Sequence, residues 1–159
     1  MKRFPVGLVI GRFQPFHYGH IYLFKQAVAA CEAITIGIGS SNKRNKENPF
    51  TYTQRKRMLE VFLEKEKMKA SVIKIFPLPD TTDDAAWLQH VLEKAGKFYV
   101  VIGDNEWVNA IFEKAGYKVI RIGHYKRDLY EGEKIRGLIK DKKKWQDRVP
   151  AYIIDLIEK

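Results

Sequence analysis

Apolar and polar positions alternate along this chain in blocks of two kinds. Short, nearly continuous apolar runs stand at Val6–Gly11, Ala33–Ser40, Ser71–Phe76, Phe98–Gly103 and Tyr117–Ile122. Their length and β-branched content predict strands. Runs too apolar for a one-sided sheet predict strands covered on both faces. Between them apolar residues recur every three or four positions. Phe24, Ala27, Val28 and Cys31 form one such set after His20, with Cys31 on the buried face of that helix. Met58, Leu59, Phe62 and Leu63 form a second, Trp87, Leu88, Val91 and Leu92 a third, and Ile135, Leu138 and Ile139 a fourth. Each predicts a helix laid against a sheet.

Local signals set the boundaries. Thr51–Gln54 has the S/T-x-x-Q form of a capping box, opening a helix that runs to about Lys67. Pro77 and Pro79 stop the third strand. Asp80–Asp84 caps a helix from Ala85, which Gly96 ends. Asp104–Trp107 opens a helix that closes at Gly116. Glu131 to about Lys140 is helical, Lys140–Lys144 is a solvated turn, and Pro150 begins a last helix. Strands alternating with helices predict an α/β fold, a Rossmann-like, doubly wound, parallel five-stranded sheet with helices on both faces and a C-terminal helical segment. With no repeat and no linker, residues 1–159 read as a single domain. Ligands of such folds bind beyond the C-terminal strand ends. The segments to search are therefore Gly11–His20, Ser40–Asn48, Pro79–Asp84, Gly103–Asn105 and Gly123–Glu133.

Composition changes this picture little. The 29 basic and 19 acidic residues leave a formal charge of +10, which favours anionic partners. Lys43, Arg44, Lys46, Arg55, Lys56 and Arg57 could form a phosphate-tracking stripe, yet no nucleic-acid motif accompanies them, so nucleic acid is not the expected partner. No apolar window spans a membrane and no signal peptide precedes the first strand. One cysteine and no internal disulfide point to the cytoplasm. No His or Cys stands at metal-ligand spacing near Cys31, so no protein-borne metal site is expected.

The chemistry lies in Gly11-Arg12-Phe13-Gln14-Pro15-Phe16-His17-Tyr18-Gly19-His20. A strand breaks at a glycine, a guanidinium follows, and two histidines bracket a glycine where a helix begins. A helix N-terminus offers unpaired N–H groups and partial positive charge. Imidazoles and a guanidinium there add donors for a phosphate.

This stretch resembles the signature of the nucleotidylyltransferase superfamily and is most similar to that of archaeal nicotinamide-mononucleotide (NMN) adenylyltransferases. The similarity continues through Ile36–Ser40 with Asn48–Thr51, Pro77–Asp80 with Trp87, Gly103–Asn105, Gly132–Arg136, and Trp145 with Val149-Pro150. It implies that ATP and NMN form NAD and pyrophosphate within a single nucleotidyltransferase domain, with nucleotide-borne Mg²⁺, in a homo-oligomer. It also implies roles. His17, His20, Arg12 and Arg136 act on the phosphates. Gly11, Phe13, Gln14, Gly19, Gly103, Asp104 and Ile135, with Arg44 or Lys46 closing from the polar loop, bind ATP. Asp80, Asp84, Trp87 and Asn105 bind NMN, Trp87 by stacking on the nicotinamide ring. The chain departs from the family where hydroxyl residues usually stand before Arg136: it carries Glu131 and Glu133. Asp83-Asp84 likewise stands where an amide is expected. The alternatives are another phosphorylated acceptor (nicotinate mononucleotide, FMN or a cofactor precursor) and a non-catalytic nucleotide- or nucleic-acid-binding protein.

Overall fold

The computed structural model describes residues 3–158. Five strands, β1 (Phe4–Gly11), β2 (Cys31–Ile38), β3 (Val72–Pro77), β4 (Val100–Gly103) and β5 (Val119–Arg121), form one sheet in the order β3-β2-β1-β4-β5. Every pairing is parallel. The helices are α1 (Tyr18–Ala30), α2 (Tyr52–Lys65), α3 (Asp84–Ala95), α4 (Glu106–Lys114), α5 (Gly132–Lys140) and α6 (Ala151–Glu158). Short 3₁₀ turns stand at Lys69–Ser71 and Gln146–Arg148.

Two apolar layers cover the two faces, as the continuous runs require. Leu8 and Ile10 of β1 join Phe76, Trp87, Val91, Val101 and Phe112 on the α3/α4 side. Val9 joins Ile34, Ile36, Phe24, Met58, Leu59, Phe62 and Ile153 on the other. Neighbouring β1 residues thus go to opposite layers, the period-two alternation of a strand. The C-terminal helix α6 packs on α2, where the Tyr152 hydroxyl lies 3.1 Å from Glu66 Oε2.

Strand order reverses between β1 and β4. β1 is registered with β2 along its whole length, from Phe4–Cys31 to Gly11–Ile38. With β4 it is registered only at Gly7–Val100 and Leu8–Val101. Beyond Leu8 the two strands part, and the crevice that opens at their C-terminal ends is the topological switch point.

The structure moves some boundaries. α1 begins at Tyr18 and ends at Ala30, so Cys31 is the first residue of β2 and not part of a helix face. No loop separates helix from strand here, which is why helical periodicity ran one residue too far. The thiol is buried beneath Gly7, where a Cβ would stand 2.6 Å from Sγ. β4 and β5 are shorter than their apolar runs because Phe98 and Tyr117 stack on each other ahead of the strands, ring centroids 5.1 Å apart. Among the described residues no helix is long and apolar enough to cross a membrane.

Candidate active site

The residues after β1 fold back over its end. Phe13 takes a left-handed backbone (φ 54°) that turns its ring under Gly11, and it is 1% exposed. The chain then enters α1 through a capping box built of two histidines. His17 is the N-cap, and its Nδ1 accepts from the Gly19 N–H at 3.0 Å. His20 reaches back, its Nδ1 accepting from the His17 N–H at 3.1 Å. Histidines three apart here do the work of the usual hydroxyl and carboxamide. Both Nδ1 atoms must be unprotonated to accept. Each neutral ring therefore carries its proton on Nε2, as a donor. The rings stack with centroids 3.7 Å apart. Burial, with the Arg136 charge adding, pushes the His17 pKa down to about 3; burial, then His17, holds His20 well below its ordinary value. Gly19 is required by this packing, because a Cβ there would stand 2.8 Å from the His17 ring.

Two guanidiniums flank the histidines. Arg12 Nη1 donates to Asn48 Oδ1 at 3.0 Å. Arg136, on the second turn of α5, donates Nη1 to the Gln14 carbonyl at 2.9 Å. Gly132 lets α5 approach this loop closely, because a Cβ there would lie 3.3 Å from the Gln14 carbonyl oxygen and 2.9 Å from the guanidinium. Burial, together with Arg12, lowers the Arg136 pKa. His17, His20, Arg12 and Arg136 all line one cavity of about 470 Å³ at the switch point, with Gly11, Phe13, Gln14, Asp80, Trp87, Asp104 and Asn105. That volume is within the range of small-molecule sites.

Across the cavity from the histidines, Asp80 accepts from the Ser40 hydroxyl at 2.9 Å. An outer recess of about 420 Å³ continues from it, lined by Lys43, Asp80, Asp83, Asp84, Trp87 and Trp107. Trp87 is 4% exposed and packs in the core against Phe112. Only part of it meets the cavity. The open indole is that of Trp107, 52% exposed, its centroid 5.2 Å from that of Trp87. Asp104 is half enclosed; burial raises its pKa against the pull of His124 and Arg127. Asn105 lines the cavity and also caps α4, accepting from the Val108 N–H at 3.1 Å.

Several expected ligands are engaged by the protein itself or lie outside the cavity. The Gln14 side chain is held by Phe50, donating to its carbonyl and accepting from its N–H, both at 2.9 Å. Ile135 is wholly buried in the core, so it offers no contact. Arg44 is exposed on the polar loop and lines none of these cavities, while Lys46 lines a separate groove behind Arg136. Gly103 is covered: its carbonyl accepts from Asn109 Nδ2 at 3.1 Å. Gly19 faces a smaller recess shared with His17, Asp104, His124, Arg127 and Tyr130. Glu131 and Glu133 both line the main cavity, and Glu131 also pairs with Arg127 Nε (3.3 Å) and Lys134 Nζ (3.8 Å). Arg55, counted in the basic stripe, is 0% exposed and belongs to no surface. Sequence reasoning missed Trp107 and Asn48. The signal for Trp107 was its place in the first turn after the Gly103–Asn105 loop, at a strand's C-terminal end.

The chain matches the cytidylyltransferase-like family over residues 8–146. It is 36% identical over 150 residues to the nicotinamide-nucleotide adenylyltransferase of Methanolobus tindarius, covering 94% of this chain and 85% of that one. The crystal structure of a bifunctional NMN adenylyltransferase/ADP ribose pyrophosphatase from Francisella tularensis superposes with a TM-score of 0.77 at 25% identity, over 92% of this chain. This chain spans only 45% of that protein's length. The same Francisella enzyme with AMP and a Mn ion gives a TM-score of 0.75 at 25% identity, covering 92% of this chain and 44% of that one.

Proposed function

We propose, for a chain that belongs to the cytidylyltransferase-like family alongside the nicotinamide-nucleotide adenylyltransferases, that it transfers the adenylyl group of ATP to NMN, forming NAD and pyrophosphate. The observation that carries this reading is the meeting, in one cavity, of two Nε2–H imidazoles and two guanidiniums with a pair of indoles. The first group suits a triphosphate and the second a flat cationic ring.

In this reading an NMN phosphate oxygen attacks the ATP α-phosphorus in line. A bond forms between them as the bond from the α-phosphorus to the α,β-bridging oxygen breaks, and pyrophosphate leaves with that electron pair. No protein nucleophile is needed. The protein aligns two anions and offsets charge developing in flight. His20 and His17 donate to the α- and β-phosphates. Arg12 and Arg136 hold the outer phosphates, and their bonds to Asn48 and the Gln14 carbonyl fix where the remaining donors lie. Asp104 serves the nucleotide hydroxyls. Trp107, with the edge of Trp87, receives the nicotinamide, and Asp80 its carboxamide. In this reading Mg²⁺ enters as part of the substrate, MgATP. The single domain over residues 1–159, a homo-oligomer and a cytoplasmic location belong to the same proposal.

The three carboxylates Asp80, Asp83 and Asp84 around the outer recess favour the amide-bearing, cationic nicotinamide over the carboxylate of nicotinate mononucleotide. The test is pyrophosphate release from MgATP with NMN, nicotinate mononucleotide and FMN in parallel. NMN is expected to be the fastest, and His20→Ala to lower kcat by about 10²–10³, as for loss of one transition-state donor. Faster turnover with another acceptor overturns the assignment of NMN.

A further inference from the structure

We propose that Arg55 is a positioning residue for this transfer: its buried guanidinium holds the triphosphate-side and acceptor-side loops in one register and sets a fixed positive charge behind them. The inference rests on the adenylyl-transfer reading above.

Arg55 lies on the first turns of α2 and is 0% exposed. It does not line the cavity, yet every group it holds borders or supports that cavity. Nη1 donates to the Arg12 carbonyl at 2.9 Å and the Gly39 carbonyl at 2.7 Å. Nη2 donates to the Ser40 carbonyl at 3.2 Å, and Nε to the Thr51 carbonyl at 3.2 Å. One rigid, planar fork thus joins the loop after β1 to the loop after β2. The link extends one step further. Ser40, with a left-handed backbone (φ 50°), donates its hydroxyl to Asp80 Oδ1 in a 2.9 Å hydrogen bond. The Asp80 N–H in turn donates to Asn42 Oδ1 at 2.9 Å. Loops after three successive sheet neighbours are therefore tied to one side chain.

The charge is as telling as the bonds. Among the described residues no carboxylate stands within ion-pair distance of Arg55. A buried cation held only by neutral carbonyls is unfavourable for folding compared with an apolar side chain. The Asp80 carboxylate favours it from beyond ion-pair distance, and an anion in the adjacent cavity would favour it further. The charged and titratable groups that act on it are Arg12, Asp80 and Tyr52; burial, then Arg12, brings its pKa down to about 10, so it stays protonated at neutral pH.

Arg55→Lys, Arg55→Met and Ser40→Ala test this. Affinity for a non-hydrolysable ATP analogue, steady-state constants and Tm are measured on each full-length protein. Arg55→Lys is expected to weaken analogue binding at least tenfold and to lower kcat at 25 °C by about 10–100-fold, although the side chain touches neither substrate. Its analogue affinity should also fall between pH 7 and 9 while wild type stays flat, because a buried ammonium loses its proton at lower pH than a guanidinium. Ser40→Ala, which cuts the Asp80 branch alone, should raise KM for NMN several-fold and leave analogue affinity within twofold. A plain core role predicts the opposite: lower Tm, with analogue affinity within twofold of wild type and kcat unchanged. That result overturns the proposal. If neither Arg55 variant folds, Ser40→Ala decides, and equal or absent changes for the two substrates refute it. Wild type without NMN-dependent turnover would instead sink the acceptor reading, while the analogue measurements still decide the role of Arg55.

Discussion

At His17 and His20 one set of hydrogen bonds fixes three properties together: where α1 starts, which tautomer each ring adopts and how each ring titrates. Their folded pKa values lie below the ordinary 6.5, His17 at about 3. An unfolded chain takes up protons on both rings as pH falls through 6.5, and the folded chain does not until far lower. Stability from this source is therefore full above pH 6.5 and is lost as pH falls toward about 3. For His17 the slope between these limits is about 1.4 kcal/mol per pH unit, and His20 adds in the same direction. Tm measured from pH 7.5 to 4.5 should fall accordingly, and less steeply in His17→Asn, whose amide can still cap the helix. Equal slopes in the two proteins would show that the rings do not titrate as described. These histidines were legible in the sequence because function and helix start share one short motif. Arg55 was not, standing beside Lys56 and Arg57 like any surface cation. Yet Arg55, Met58, Leu59 and Phe62 share one helical face, and that spacing already marked it as buried.

Among elements, strands and helices were readable because each buries a stripe or a face with its own period. Their fastenings were not. The polar segment Ser41–Pro49 looked like a free loop that could close over substrate. It is pinned by Gln14 to Phe50 and by Arg12 to Asn48. Side chains that bond distant backbone leave no periodic trace, so this fastening by Gln14, which also lines the cavity, went unread. Gln14→Leu would leave the buried N–H and C=O of Phe50 unpaired, at about 1–3 kcal/mol for each group. Trypsin should then cut at exposed Lys43, Arg44 or Lys46 about tenfold faster than in wild type, with little change elsewhere. Cleavage at the wild-type rate would mean that Arg12 and Arg55 suffice to hold the segment. The Trp87–Trp107 pair teaches the same lesson. Helical period marked Trp87 as a core residue and resemblance marked it as a ligand. The structure places it at the boundary, with the more open indole coming from α4.

Over the whole molecule, the order β3-β2-β1-β4-β5 brings residues from positions 12 to 136 to one crevice. Alternation of strands and helices implied such a crevice, and resemblance said which loops met there. The formal charge of +10 said less. Its most consequential cations are the few at the crevice, while the supposed stripe lost Arg55 to the interior. The part of the site that stayed hidden is the part made by tertiary bonds between loops, for which spacing along the chain carries no information.

The thiol beneath Gly7 makes this protein its own reporter. Cys31 is the chain's single cysteine and sits at the root of the strand pair whose far end carries the phosphate loop. A small alkylating reagent can reach it only when the packing around it opens. The labelling rate thus counts openings of the scaffold with no engineered probe. MgATP at 100 times its Kd should slow labelling about 100-fold if the opening that admits the reagent also dismantles the crevice. An unchanged rate would locate the opening at the strand roots alone. The catalytic end would then stay assembled while the other end breathes.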